Sequence, residues 1–290
     1  RLENIPTDAA LERAAAQVRK DFRAGDAVRV VPPWNEGLWL RLQDIGEGTE
    51  RFPFPALLRG DRVDPMTLYS FKRLWLIGTF GMPPALSADI AEGGRELSRR
   101  DLGGGVSVAL FALPKVAHKG RLTRDLRRLK VTRRSKTREK NCPLTGKRYR
   151  CGKPGWGNPH VETRDVFHNE VSWLLAHAPP GRETLTVTWR APRGKTLIVR
   201  AGFSLQGVRK EPGSPTKLRV LVDDVVKADI TVPPHRYLLF RRAVALDAKR
   251  RHAIRFEVSA NDHRYRQLML EADVIDEVPP GLQRWIDASP

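Results

Sequence analysis

The chain has 290 residues, 40% of them hydrophobic and 29% charged, with a formal net charge of +19. That length suits two domains of ordinary size, and the apolar fraction fills a core in each, which excludes a disordered chain. No run approaches the roughly 20 apolar residues of a membrane span, and the start at Arg1, without Met or signal sequence, fits a processed protein or a piece of a longer one.

The first stretch reads as a helix. Thr7 or Asp8 is placed to cap it, Leu11, Ala14, Ala15, Val18 and Phe22 recur at helical spacing, and Gly25 is placed to end it. Ala27 to Val31 is short and β-branched, a buried strand stopped by Pro32 and Pro33. Leu38, Trp39, Leu42 and Ile45 predict a short helix, Phe71 to Thr79 a second buried strand, Leu86 to Leu97 a further helix, and Val106 to Leu113 a third strand. Helices alternating with nearly all-apolar strands predict a small Rossmann-like α/β domain over residues 1–113, with a parallel sheet.

Between Lys115 and Lys153 there are 16 Lys or Arg against two acids, an excess of +14, which leaves only +5 for the rest of the chain. This segment reads as a basic, Gly- and Pro-containing bridge over residues 114–170. Its field attracts polyanions, namely nucleic acid, acidic polysaccharide or an anionic membrane surface; the plain alternative is a solvated linker held open by self-repulsion. Arg124, Arg127, Arg128, Arg133, Arg134, Lys136 and Arg138 are its candidate polyanion-binding residues. Cys142 and Cys151, the only cysteines, flank the turn residues Pro143, Thr145 and Gly146. They are read as a disulfide in an oxidising compartment, or as two free thiols in the cytosol.

Beyond residue 171 the period changes to two. Leu185, Val187 and Trp189 alternate with threonines, and runs at Thr196–Ala201, Leu218–Val222, Val226–Val232, Tyr237–Leu246, Ala253–Ser259 and Met269–Ile275 follow. Residues 171–290 are therefore expected to form an antiparallel, jelly-roll-like β-sandwich.

Chemical motifs are sparse. There is no nucleophile elbow, and Gly103–Gly105 precedes a strand where a phosphate loop would follow one. Cys142, Cys151, His160, His168 and His177 are eight or nine residues apart, unlike the close pairs of structural zinc sites, so no metal and no cofactor are expected. Asp223 and Asp224 fit a hairpin turn better than a catalytic pair. Trp34, Asn35, Glu36 and Trp39 follow the first strand, where open α/β sheets bind small ligands, and form the candidate ligand site; the competing reading is that the tryptophans pack a helix. Tyr149 and Trp156 are the aromatics the basic segment offers for base stacking.

From Asp8 to Thr79 the Ala-rich helix, Gly25–Asp26 before Val28–Val31, Pro33–Trp34 and Arg73–Leu74–Trp75–Leu76–Ile77 resemble the extracytoplasmic soluble domain of polytopic, lipid-sugar-dependent glycosyltransferase-like envelope proteins. From Glu183 to Val274, Gly202–Phe203, Leu218–Val222 with Asp223, and Phe256–Ser259 resemble jelly-roll modules, often carbohydrate-binding. The resemblance implies an extracytoplasmic, membrane-anchored envelope protein whose catalytic acid lies in a membrane portion, so no catalytic residue carries over. The expected function is an accessory module binding glycan, lipid-linked sugar or another anionic polymer. Its partners then include its own membrane portion or an anionic membrane surface. Nucleic-acid binding through residues 115–153, and an enzyme with a site near Trp34, are the two alternatives. Nothing in the sequence indicates an oligomeric state.

Overall fold

The first helix starts where the sequence places its cap. The computed structural model describes residues 4–43, 57–58, 63–86, 94–152, 157–167, 169–180, 183–209, 214–234, 236–262 and 267–290. In α1 (Asp8–Asp21) the Thr7 hydroxyl accepts the Ala10 amide at 3.3 Å, an interaction that contributes about 1 kcal/mol at such positions. The helix closes at Phe22 rather than at Gly25, which lies in the turn before β1 (Asp26–Val31). Then come α2 (Glu36–Leu42), the single turn α3 (Pro65–Leu68), β2 (Arg73–Gly78), β3 (Arg95–Asp101) and β4 (Ser107–Ala112). Ile45 of the expected second helix lies outside the described residues.

The first sheet has the order β1-β2-β4-β3. Ala10, Leu11, Ala14, Ala15 and Val18 of α1 pack with Leu38, Trp39 and Leu42 of α2 onto Val28, Val30, Trp75, Ile77, Val108 and Leu110. The expected parallel, Rossmann-like sheet requires correction. β1 and β2 are parallel, but β4 runs antiparallel to β2, and β3 antiparallel to β4. The reason is local. Gly103, Gly104 and Gly105 all have positive φ (73°, 58° and 64°), and the turn they form returns the chain as a hairpin, with no helical crossover between β3 and β4. Arg95 to Leu97, expected in a helix, belong to an exposed, charged edge strand, a composition that discourages further pairing. Residues 87–93 of that expected helix lie outside the described residues.

The second unit is a β-sandwich. Its strands are β5 (His118–Arg121), β6 (Leu129–Arg134), β7 (Glu139–Asn141), β8 (Leu144–Thr145), β9 (Arg148–Tyr149), β10 (His160–Val166), β11 (Asn169–His177), β12 (Thr184–Arg190), β13 (Thr196–Phe203), β14 (Thr216–Val222), β15 (Val225–Val232), β16 (Leu239–Ala245), β17 (Ala253–Ala260) and β18 (Gln267–Ile275). One sheet has eight strands in the order β16-β13-β18-β11-β10-β9-β8, with β5 beside β18; the other has six in the order β15-β14-β17-β12-β6-β7. Strand alternation turns Leu197, Val199, Phe203, Leu270 and Val274 of the first sheet onto Leu185, Val187, Trp189, Val220, Phe256 and Val258 of the second. Asp223 and Asp224 form the β14–β15 turn with φ of 48° and 68°, the left-handed pair of a two-residue hairpin.

Residues 114–170 differ from the bridge their composition predicted, because they hold strands β5 to β10, paired into the two sandwich sheets. In Leu129–Arg134 the period of two is present, with Leu129 and Val131 buried and Lys130 and Arg134 exposed. The density of cations hides it. The chain divides into two compact units, one of Arg1–Val116, His168–Glu170 and Pro279–Trp285 and another of Ala117–Phe167, Val171–Val278 and Ile286–Pro290.

Candidate functional site

The strand-end group of the first unit separates into structural and exposed members. Asn35 is buried and caps α2, its side-chain oxygen accepting the Leu38 amide at 3.1 Å. Trp39 is buried in the core of that unit, and its indole N–H donates to the Pro33 carbonyl at 2.5 Å. Both thus have jobs in holding α2. Trp34 is 62% exposed and leans on Phe80, ring centroids 4.8 Å apart, while Glu36 is exposed in the first turn of the helix. Asp26 is the ionisable group buried on β1: it accepts from Arg73 Nε at 2.7 Å and from the Trp75 indole at 3.1 Å, which ties β1 to β2.

In the sandwich, the basic residues fall into three places. Arg124, Arg127 and Arg128 are on the turn before β6, Arg128 being 3.9 Å from Asp125. Arg134 lies on the open face of the six-stranded sheet. Arg133 turns the other way and pairs with Glu183, while Lys136 and Arg138 sit in the tight β6–β7 turn that Ser135 closes by hydrogen bonds to the Arg138 backbone.

The open face was not anticipated as a site. Register alone assembles it. One row across the strands is Asp229, Arg219, Glu257, Thr186, Thr132, Asn141; a second is Arg255, Thr188, Lys130; a third has Thr231, Lys217 and Ser259 on one side and Thr184, Arg134 and Glu139 on the other, so the cations are interspersed with acids. Neighbouring strands are ~4.8 Å apart, so these side chains form one continuous surface. Lys130, Arg134, Lys217 and Arg219 are exposed and Arg255 is half-buried. Beneath them lies Glu257, its side chain 8% exposed, at 3.7 Å from Arg134, 3.3 Å from Arg219 and 3.2 Å from Arg255. Glu257 orients three guanidinium groups, and Asp224 also pairs with Arg255 at 2.6 Å, so two carboxylates answer three arginines. The half-buried hydroxyls of Thr184 and Thr188 and that of Ser259 can donate and accept between the cations, while Thr132 and Thr186 are buried. Such a face can bind a polyol carrying negative charge. The signal available in sequence was the alternation of Lys217 and Arg219 with the buried Leu218 and Val220.

A contrasting charged cluster is buried behind β18. Asp273, fully buried, accepts from Arg121 Nε at 2.6 Å and Arg200 Nη2 at 2.7 Å. Burial alone raises a carboxyl pKa, but here Arg121 and Arg200, with His118, outweigh it and hold Asp273 well below the usual range. Glu271, equally enclosed, goes the other way. Burial, reinforced by the charge of Asp273, pushes it up to about 7 against the pull of Arg121 and Arg200.

Cys142 and Cys151 form the expected disulfide, both half-cystines being buried. They are therefore withdrawn from any ligand set. His177 places Nδ1 2.7 Å from the Ala178 carbonyl and His160 places Nδ1 2.9 Å from that of Asn158. His168 and Trp156 lie outside the described residues, and Tyr149 is buried with its hydroxyl bonded to the Leu126 carbonyl, out of reach of a stacking base.

No family model matches the chain, and no curated protein matches it. Solved structures similar to it include the CBM51 module of a Clostridium perfringens GH95 protein, solved with methyl-galactose, at 9% identity over 41% of this chain and 83% of that one, TM-score 0.31. Another is a family 35 carbohydrate-binding module from Clostridium thermocellum, at 12% identity over 39% and 86%, TM-score 0.27. A third is the tandem CBM51 pair of a family 98 glycoside hydrolase from Streptococcus pneumoniae, at 12% identity over 60% and 56%, TM-score 0.34. The sandwich of this chain stands on its own strand order and core.

Proposed function

We propose that this chain is a glycan-binding module, working outside the cytoplasm, whose ligand is an acidic polysaccharide laid across the open face of the six-stranded sheet. The observation that carries the reading is the row structure of that face: cations from β6, β14 and β17 alternate with hydroxyls, and a buried Glu257 holds three of them in place. The disulfide supports an oxidising compartment. No described helix is long and apolar enough to cross a membrane. The face favours glycan over nucleic acid because its rows contain Lys, Arg, Thr, Ser, Asn, Asp and Glu and no aromatic ring for a base to stack on.

The test is retention on immobilised polygalacturonate, dextran sulfate, neutral dextran and single-stranded DNA, each at low and high salt. Retention by the two acidic glycans, weakening as salt rises, is the expected result. Equal failure on acidic and neutral glycans removes the reading, and stronger retention by DNA at matched charge replaces it with the nucleic-acid alternative.

A further inference from the structure

We infer that a cleft beside the disulfide is the subsite for the anionic substituent of the glycan, with Arg138 and Lys140 as the groups that contact it. This rests on the glycan-binding reading and places part of that ligand beyond the open face, round the β7 edge of the same sheet, because Arg133 and Lys140 share the side of β6 and β7 opposite to Arg134. Strand alternation is what makes the cleft unusual. On β6, residues Leu129, Val131 and Arg133 share the core-facing side; across the register, Lys140 lies opposite Arg133 and shares that side. Leu129 and Val131 fill the core in the ordinary way. At the next step the apolar series stops: the half-buried Arg133 and the exposed Lys140 stand at the sheet's edge in line with positions that on β12, β14 and β17 are mostly apolar. A cleft of about 310 Å³ opens there, lined by Arg133, Ser135, Arg138, Lys140, Cys151, Gly152 and Glu183.

Arg133 is half-buried while Arg138 and Lys140 are exposed, so the partners of each decide what the cleft offers a ligand. Arg133 is answered by Glu183. Lys140 and Arg138 have no ion pair among the described residues, which leaves three cations against one carboxylate in a single concavity. The surroundings are preorganised. Ser135 accepts the Arg138 amide at 3.1 Å and closes the turn that carries it, and the Cys142–Cys151 bond fixes the opposite wall. Gly152, with φ of +130°, completes that wall. A Cβ there would lie 3.5 Å from the Lys140 ammonium, in the space an anion has to enter. The chemistry this arrangement selects is an oxyanion, whether carboxylate, sulfate or phosphate, with two or more oxygens to share between a guanidinium and an ammonium.

The experiment is calorimetric titration of the full chain with galacturonate oligomers, sulfated dextran oligomers and phosphorylated dextran oligomers, with neutral dextran as the reference arm. Preference for any oxyanion-bearing oligomer over the neutral one is expected, and the strongest arm names the substituent. The Arg138→Ala/Lys140→Ala pair should lower that affinity on the order of tenfold or more, the loss of charge-assisted hydrogen bonds, with the melting temperature unchanged. Glu183→Gln should do the opposite, because it frees the charge of Arg133 for the ligand and tightens binding severalfold. A cleft that merely shapes the hairpin predicts no gain from Glu183→Gln. If both variants bind like the unaltered chain while Lys130→Ala weakens binding, the cleft is not the subsite and the glycan reading stands without it. If the unaltered chain binds none of the oligomers, both fall together.

Discussion

Arginines meet carboxylates twice in the sandwich, with opposite results. Behind β18, Asp273 is enclosed by Arg121 and Arg200, and Glu271 beside it takes the Thr123 hydroxyl. On the open face, Arg134, Arg219 and Arg255 converge on Glu257, and Arg255 also meets the exposed Asp224. In the first place each charge is desolvated and has to be matched; in the second water does most of the solvation, so an excess of cations persists at little cost. The same two residue types hold a fold together where buried and offer a binding surface where exposed.

The sharpest way to break this comparison is to remove the buried partner. Asp273→Asn leaves Arg121 and Arg200 enclosed around a neutral amide, and such uncompensated buried charge costs about 3–5 kcal/mol. Urea denaturation followed by circular dichroism reads it directly; a loss below about 1 kcal/mol would mean the cluster is solvated. Next in size is the disulfide. Cys142→Ser paired with Cys151→Ser opens a loop of sequence separation 9, which lowers stability by about 2–3 kcal/mol through the entropy returned to the unfolded chain. The same denaturation curve checks it, and because the cleft wall loosens, glycan affinity is expected to fall in the same variant.

The third effect is one of pH. Glu271 is raised above its ordinary value to about 7. Between those two values the native state keeps a proton that the unfolded chain has released, so this residue's contribution to stability declines as pH rises through that window. Glu271→Gln removes the dependence. The variant should match the native chain near pH 5 and melt at higher temperature by pH 8. Parallel melts at both pH values test it, and a gap independent of pH contradicts the assignment.

How far the sequence reveals these features depends on how local their cause is. β12 was legible because Leu185, Val187 and Trp189 alternate with threonines over seven residues, and the observed strand is Thr184–Arg190. The disulfide was legible because two cysteines flank turn residues. β3 was not, because Arg95 to Asp101 is an edge strand with no buried face to impose alternation, and Glu, Leu and Arg favour helices. The basic segment was misread for a related reason. Its inward positions are few, and its cations occupy both sides of β6. The open face was least visible of all, since Lys130, Arg219 and Arg255 become neighbours only through the order β14-β17-β12-β6, set by long-range pairing. One clue was available for the buried cluster: Glu271 and Asp273 interrupt the apolar run from Leu268 to Ile275.

The smallest expected effect on stability is the most informative about function. Lys130 is exposed, and its row partner Thr188 is half-buried. Lys130→Ala removes a charge from the open face without uncovering a buried group, so stability should change by no more than about 0.5 kcal/mol. Binding to an acidic glycan should weaken severalfold at low salt and converge with the native chain at high salt, since the lost contribution is screened Coulomb attraction. A matched drop in melting temperature would show Lys130 to be part of the scaffold, like Arg121 and Arg200. Unchanged affinity at low salt would mean the polymer runs elsewhere, and the row of cations would then be ordinary solvated surface.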